Sequence, residues 1–405
     1  MINIADRLQL PFARPTPLAL APIYDVLRRE APIAPVLTPA GDPAWLVTRY
    51  EEVRLLLADK RLGRSHPEPE RASRLSTAAL LDGPTGEYAT EEADHARVRR
   101  LLAPAFSAPR MRALSDHMER LVDRCLDRLT EEHEARGVAD LRATLAHPLP
   151  GAMICLLLGV PETDHELFTR LSEGLADTAI GAEESRRAGE EFFRYMVGLI
   201  EAKRPRLGED VISDLIRAQS EDSSYGYEEM VQHCVGLLFA GNETTVNQIC
   251  FGTLLLLADR SRWEALVADP EGRIDAVVDE VMRLGLSGEL GLLRYAREDI
   301  DLAGVTIRAG DAVLLSVIAA NRDADVYGDA ESFVPGRPER TNLGFGHGAH
   351  YCIGASLART ELRVVFTALA RRLPSLRLAT ELDQLKIRTS FSGGVTELPV
   401  TWGAS

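Results

Sequence analysis

The chain predicts a mainly α fold with a small β region, organised as a single domain over residues 1–405. Three observations lead there. Apolar residues recur at helical spacing through most of the chain up to about residue 285. Short strand-like pieces follow, at Leu292–Ala296, Ile300–Leu302, Val305–Ile307 and Ala312–Ser316. No linker or internal repeat divides the chain, although its length could hold two or three domains.

The first 44 residues carry several prolines and one helical segment, PIYDVLRREAP. Ala44–Thr48 (AWLVT) reads as a short strand and YEEVRLLLAD as the helix after it. From Arg61 to about Glu92 the sequence is polar, with Gly, Pro and Ser and little periodicity, which predicts a long loop of the functional or mobile kind. Helices are then expected at His95–Leu102, Ala108–Glu134, Leu149–Leu158, through Glu166–Leu207, at Val211–Gln219 and at Glu228–Asp259. The last of these is apolar on most sides, which marks a helix buried through a core. IDAVVDEVMRLG and ASLARTELRVVFTALARRL supply two more helical runs.

Composition excludes several classes. With 45% hydrophobic and 26% charged residues and no low-complexity tract, the chain reads as an ordinary soluble protein. The N-terminus has no basic start followed by an apolar run, and no apolar stretch is long enough to span a bilayer, so neither signal peptide nor membrane partner is expected. A net charge of −15 makes nucleic acid an improbable partner. Cys125, Cys155, Cys234, Cys250 and Cys352 are sparse and odd in number, which fits a reducing cytoplasm rather than a disulfide framework. All but Lys60, Lys203 and Lys386 of the 46 basic residues are arginine, a bias that suggests a GC-rich bacterial genome.

The most informative stretch is FGHGAHYCIG, from Phe345 to Gly354. Its single cysteine, Cys352, is flanked by Gly346, Gly348 and Gly354 and stands just ahead of a helical run. Glycines let the backbone turn tightly beside a flat ligand. Nearby N–H groups and a helix start favour an anion, so the thiol pKa is expected to fall. These features suit an iron-bound thiolate. Two alternatives compete: a buried structural cysteine, and a zinc site using His347, His350 and Cys352, for which no second Cys/His pair completes the four ligands.

Within Glu228–Asp259 the run Ala240-Gly241-Asn242-Glu243-Thr244-Thr245 is polar where apolar residues would be expected. It is either a turn joining two helices or a helix bent at a ligand pocket. In the second case a threonine hydroxyl bonds the carbonyl one turn back, and a buried Glu favours its protonated form and can pass protons. Glu280 and Arg283 stand three apart on a helix, the spacing of an ordinary ion pair. His95 and Arg99 stand four apart in DHARVRRLL and share a face, while Arg97 and Arg100 read as solvated charges.

Taken in order, these segments resemble the cytochrome P-450 superfamily, and F-G-x-G-x-H-x-C-x-G resembles its haem-binding loop. The similarity covers essentially the whole chain, including AWLVTRYEEV and AANRD (Ala319–Asp323), and is nearest to the soluble bacterial members that tailor polyketides, macrolides and terpenoids in actinobacteria. One departure is TEEADHARVR, which lacks the Asp-Pro-Pro often found before this helix.

The resemblance implies a single-domain fold with haem between a long central helix and the cysteine loop. Cys352 would be the axial thiolate of haem b (iron protoporphyrin IX), with Phe345, Gly346, Gly354, Ala240 and Gly241 beside the haem. His95, Arg99, Arg294 and His350 would bind its propionates. Thr244 would join the hydrogen-bonded network that activates dioxygen, and Glu243 would relay protons to it. Glu280 and Arg283, joined by Arg337 of the Phe333–Arg337 segment, would brace the cysteine loop.

The implied activity is that of a haem-thiolate monooxygenase, an oxidoreductase that inserts one oxygen atom by hydroxylation or epoxidation into a macrolide, polyketide or terpenoid. Oxidative rearrangement or coupling, a peroxide-driven enzyme and a non-catalytic haem protein are the alternatives; the acid–threonine pair disfavours the last two. Lacking a flavin or nicotinamide fingerprint, the chain would take electrons from a ferredoxin and its reductase, docking through arginines such as Arg97, Arg100, Arg110 and Arg359. It would act as a cytoplasmic monomer. Substrate contacts are expected from Arg61–Glu92, the stretch around Phe168–Arg204, Leu237–Thr244, Leu286–Leu293 and Ser390–Gly394, with Glu289 either facing a cationic substrate group or solvated.

Overall fold

Helix dominates, as the periodicity predicts. The computed structural model describes residues 8–76, 83–176, 182–222, 225–286, 290–338, 341–388 and 393–403. Its helices are α1 (Ile23–Glu30), α2 (Tyr50–Ala58), α3 (Glu91–Leu102), α4 (Ala108–Arg136), α5 (Pro148–Leu158), α6 (His165–Ala176), α7 (Ala182–Lys203), α8 (Val211–Glu221), α9 (Tyr227–Leu257), α10 (Arg260–Ala268), α11 (Pro270–Leu284), α12 (Val317–Ala320) and α13 (Ala355–Arg372). The strands are β1 (Leu8–Gln9), β2 (Ile33–Leu37), β3 (Pro43–Val47), β4 (Leu62–Gly63), β5 (Ala139–Asp140), β6 (Leu292–Ala296), β7 (Ile300–Leu302), β8 (Val305–Ile307), β9 (Ala312–Leu315), β10 (Arg377–Leu378) and β11 (Pro399–Thr401). Glu289 and most of the expected contact segment Ser390–Gly394 lie outside the described residues, as do parts of Arg61–Glu92 and of Phe168–Arg204.

The described residues fall into two compact units. The first takes the described parts of Met1–His95, Ala276–Cys352 and Phe391–Gly393. It is built on a six-stranded sheet of order β1-β2-β3-β9-β6-β4, with β7 and β8 as a separate antiparallel pair. β3 runs parallel to β9 in the register Trp45↔Val313, and β6 runs antiparallel to β9 with Arg294↔Val313. Pro35 sits in β2 opposite Trp45 of β3 in the antiparallel register. Val47, Val53, Leu57, Ile300, Val313 and Leu315 close one core over this sheet.

Within this unit Glu280 and Arg283 form a buried knot. Arg283 donates to both Glu280 oxygens at 2.8 and 2.7 Å and to the carbonyls of Asn321, Ala330 and Ser332. Arg337 donates to Glu280 Oε1 at 3.0 Å, and the Val334 N–H at 2.8 Å. Burial would raise the Glu280 carboxyl, but these bonds outweigh it and hold the group below the usual range.

The second unit takes the described parts of Ala96–Asp275, Ile353–Ser390 and Gly394–Ser405. Its centre is α9, which packs against α5, α7, α10 and α13. Glu228 and Glu229 in the first turn complement the helix dipole. Asp259 ends the apolar run and caps α10 by accepting from the Ser261 N–H at 2.9 Å. The helical stretch expected around Glu166–Leu207 holds two helices, α6 and α7. A small antiparallel sheet, β10-β11-β5, completes the unit.

Candidate active site

The cysteine loop lies in the first unit. Gly346 and Gly348 both take left-handed φ of +73°, a conformation that side chains disfavour. Gly348 has a second constraint: a Cβ there would stand 2.8 Å from Ala58 Cα and 3.0 Å from Leu57 O, so the loop rests directly on α2. The turn is closed by Gly346 N–H to Leu343 O at 2.8 Å and by Cys352 N–H to Phe345 O at 2.9 Å. Beneath it, Leu343 N–H donates to Asn321 Oδ1 at 2.7 Å, and Asn321 O also receives Arg283. The Glu280 knot therefore reaches the base of the loop, as the E-x-x-R reading expects.

Cys352 is exposed while the other four cysteines are buried. Burial pushes the thiols of Cys155, Cys234 and Cys250 up to about 12, which suits inert core residues. Among the described residues no group of three His, Cys, Asp or Glu side chains could hold a metal ion.

Beside the loop in the same unit stands a cluster of basic side chains. The His95 and His350 rings are in contact. Arg294, half-buried on β6, donates only to the neighbouring Leu293 carbonyl at 2.7 Å among the described residues. Burial, with Arg64 adding to it, pushes the Arg294 guanidinium down to about 10. Burial and then the charges of Arg294, His95 and Arg64 push His350 down to about 3. Glu91 is the nearby carboxylate, and it is already engaged by the Arg64 and Ser65 N–H groups, the Ser65 hydroxyl and Arg297. A partly desolvated group of basic side chains such as this fits an anionic ligand. An exposed thiol and an anion-seeking cluster are the two ends that haem requires.

The acid and alcohol lie in the second unit. The turn alternative is excluded: α9 runs without a break from Tyr227 to Leu257. Gln232, Gly236, Ala240 and Thr244, four residues apart, are exposed along a largely buried helix, and the space beside Gly236 is open. The last three of them are small and leave room for a ligand. Thr244 donates from Oγ1 to Ala240 O at 2.7 Å, the back-bond that the threonine suggests. Gly241 has a packing use, since its missing Cβ would stand 2.3 Å from Ile154 Cδ1 of α5. Phe345 is buried in the first unit, and Gly354 caps α13 in the second. Arg99, one turn beyond His95 on α3, is half-buried.

Glu243 is buried, and Arg388 Nη1 donates to its two oxygens at 3.2 and 3.0 Å, a contact the sequence reading did not include. Nothing in the sequence linked residues so far apart, although the alternation in Lys386-Ile387-Arg388 hints at a strand with outward basic groups. One expectation needs correction: Arg97 is not a solvated charge, because it pairs with Glu229 at 2.6 Å and lies over the Tyr225 ring. Arg110 likewise pairs with Asp214 at 3.1 Å. Of the four arginines expected at a docking surface, Arg100 is exposed and Arg359 half-buried.

A family model described as Cytochrome P450 matches residues 274–392, the segment that holds the Glu280 knot and the cysteine loop. The chain is 39% identical over 407 residues to pentalenolactone synthase of Streptomyces exfoliatus, covering 97% of this chain and 99% of that protein. It belongs to the cytochrome P450 family. Mycinamicin IV hydroxylase/epoxidase of Micromonospora griseorubida is 38% identical, with 97% and 98% of the two chains covered. Among solved structures, the putative thioether synthase SgvP, involved in tailoring griseoviridin, superposes with a TM-score of 0.91 at 35% identity, over 98% of this chain and 100% of that one. The mixed-function P450 MycG gives 0.88 at 37% identity, over 98% and 100%. As a P450 this chain is an oxidoreductase of the monooxygenase type, acting on small molecules with the help of redox partners. The family and fold imply haem with a cysteine thiolate ligand.

Proposed function

We propose that residues 1–405 form one haem-thiolate monooxygenase domain, with Cys352 as the axial ligand of haem b. The observation that carries this reading is the exposed Cys352 thiol in a left-handed glycine turn, in the same unit as the basic cluster of His95, His350 and Arg294. Haem, when bound, supplies the activation of dioxygen and the transfer of one oxygen atom. The chain supplies the rest. Arg294, His95 and His350 hold the propionate charges, with Arg99 on the same helix as His95. Phe345, Gly346, Gly354, Ala240 and Gly241 shape the surroundings of the ring. Thr244 presents its hydroxyl on the exposed strip of α9, and Glu243, the next residue, relays protons.

The substrate proposed is a secondary metabolite of the macrolide, polyketide or terpenoid kind, hydroxylated or epoxidised. Support comes from the named relatives, which act on mycinamicin IV in one case and make pentalenolactone in another. Electrons come from a ferredoxin and its reductase, and the protein works as a cytoplasmic monomer whose five cysteines form no disulfide.

An optical titration tests this reading. Ferric holoprotein is titrated with a panel of macrolides, polyketides and terpenoids, and the reduced protein is treated with carbon monoxide. A low-to-high-spin shift with one compound class, together with a thiolate-type carbon monoxide spectrum lost in Cys352→Ser, is expected. A wild-type protein that binds haem without that spectrum would overturn the proposal.

A further inference from the structure

We infer that Arg388 is a positioning residue for the Glu243 carboxylate, so that the C-terminal ladder carrying it sets where that acid stands on α9. The inference rests on the monooxygenase reading above. Three observations point to it. First, one nitrogen, Arg388 Nη1, bridges both oxygens of Glu243 at 3.2 and 3.0 Å. Second, the pair is sheltered: the Glu243 side chain is 10% exposed and that of Arg388 24%. Third, the backbone around Arg388 is itself fixed. Ile387 bridges Val395, the Arg388 N–H donates to Gly394 O at 2.9 Å, and the Thr396 N–H to Lys386 O at 2.9 Å.

Gly394 shows how closely this ladder is pressed on α9. It takes a left-handed φ of +99°, and a Cβ on it would stand 2.1 Å from Asn247 Oδ1. Asn247 is buried and lies one turn beyond Glu243. The ladder therefore meets α9 twice on one face, with backbone at Asn247 and a side chain at Glu243. A glutamate has several rotamers, and ordering one of them costs entropy. A sheltered, charge-assisted bond from a fixed backbone selects a single one.

Thr244 cannot do this for its neighbour. Successive helix residues point about 100° apart, and the Thr244 hydroxyl is committed to Ala240 O. Nor does Arg388 relay protons, because a guanidinium keeps its proton in proteins. It orients. Since a single nitrogen makes both contacts, a lysine ammonium can take its place, whereas a glutamine cannot supply the charge.

The test uses the ferrous carbon monoxide complex of the holoprotein and needs no substrate. Its C–O stretch in the infrared reports the polar groups facing the ligand. Arg388→Gln is expected to shift or split the band, and Arg388→Lys to leave it at the wild-type position. In a Glu243→Gln background, Arg388→Gln should add no further shift. Melting temperatures of the same four proteins should behave alike, the decrement from Arg388→Gln disappearing when Glu243 is already Gln. A band that moves with Glu243→Gln but not with Arg388→Gln would overturn the inference, as would an undiminished effect in the Glu243→Gln background. Failure of the underlying reading looks different: the wild type would give no thiolate-type carbon monoxide complex, and the melting temperatures would still decide whether Arg388 acts through Glu243.

Discussion

The imidazole rings of His95 and His350 lie 3.9 Å apart between centroids, tilted by 39°. Two basic rings are in contact there, with the positive charges of Arg294 and Arg64 acting on His350.

From this follows a two-sided prediction for Arg294→Met. In the haem-free protein the change removes a desolvated charge that burial and Arg64 disfavour more than Glu91 favours it, so stability should hold or rise. In the holoprotein the same change should speed haem loss several-fold. Transfer of haem to apomyoglobin measures the second effect and thermal unfolding of the apoprotein the first. An unchanged transfer rate would remove Arg294 from the propionate site.

Glu280 is the residue whose loss should cost most. Its side chain is 5% exposed and is bonded by Arg283, Arg337 and the Val334 N–H. Glu280→Ala leaves Arg283 buried with no counter-charge, a change worth about 3–5 kcal/mol. Arg283→Lys should be nearly as harmful, because one ammonium cannot reach Glu280 and the three carbonyls that the guanidinium serves. Denaturant unfolding of both variants checks this; a loss under about 1 kcal/mol in either would show that the knot does not brace the loop.

How far the site could be read from sequence depends on whether its parts are local. Cys352, its glycines and the E-x-x-R pair announce themselves within ten residues or one helical turn. Leu292–Ala296, Ile300–Leu302 and Val305–Ile307 were equally legible, since alternation and turn residues bound each one. The three-strand sheet of β5, β10 and β11 was not, because strands of two or three residues carry no period. Arg388 was hidden for another reason: its partner is 145 positions away, and only the folded chain brings the two together. Arg97 misled because an exposed-looking arginine on a charged helix gives no sign of Glu229.

Gly346 and Gly348 share a φ of +73° but should respond differently to alanine. At Gly346 the new Cβ would find its nearest neighbour at 3.8 Å, so only the left-handed backbone is penalised, by about 1 kcal/mol. At Gly348 it would meet the α2 backbone at 2.8 Å, which forces the cysteine loop to shift. We expect Gly346→Ala to keep the wild-type carbon monoxide spectrum and Gly348→Ala to lose or alter it. Equal spectra for the two variants would show that loop contact with α2 does not matter for Cys352.

Glu361 on α13 is 1% exposed, with no hydrogen-bond partner for Oε1 among the described residues. Burial pushes its carboxyl up to about 8, from an ordinary value of 4.5. The sign of the pH effect follows. Between those values the unfolded chain gives up its proton while the folded chain keeps it, so the folded state binds more protons and stability falls as pH rises. The loss is complete above about 8, where both states are ionised, and its size is on the order of a few kcal/mol. Glu361→Gln keeps the shape and cannot ionise. Its melting temperature should lie near the wild type at pH 5, exceed it increasingly up to about pH 8, and run parallel beyond. Parallel curves across the whole range would mean that Glu361 has a partner and is ionised in the native protein.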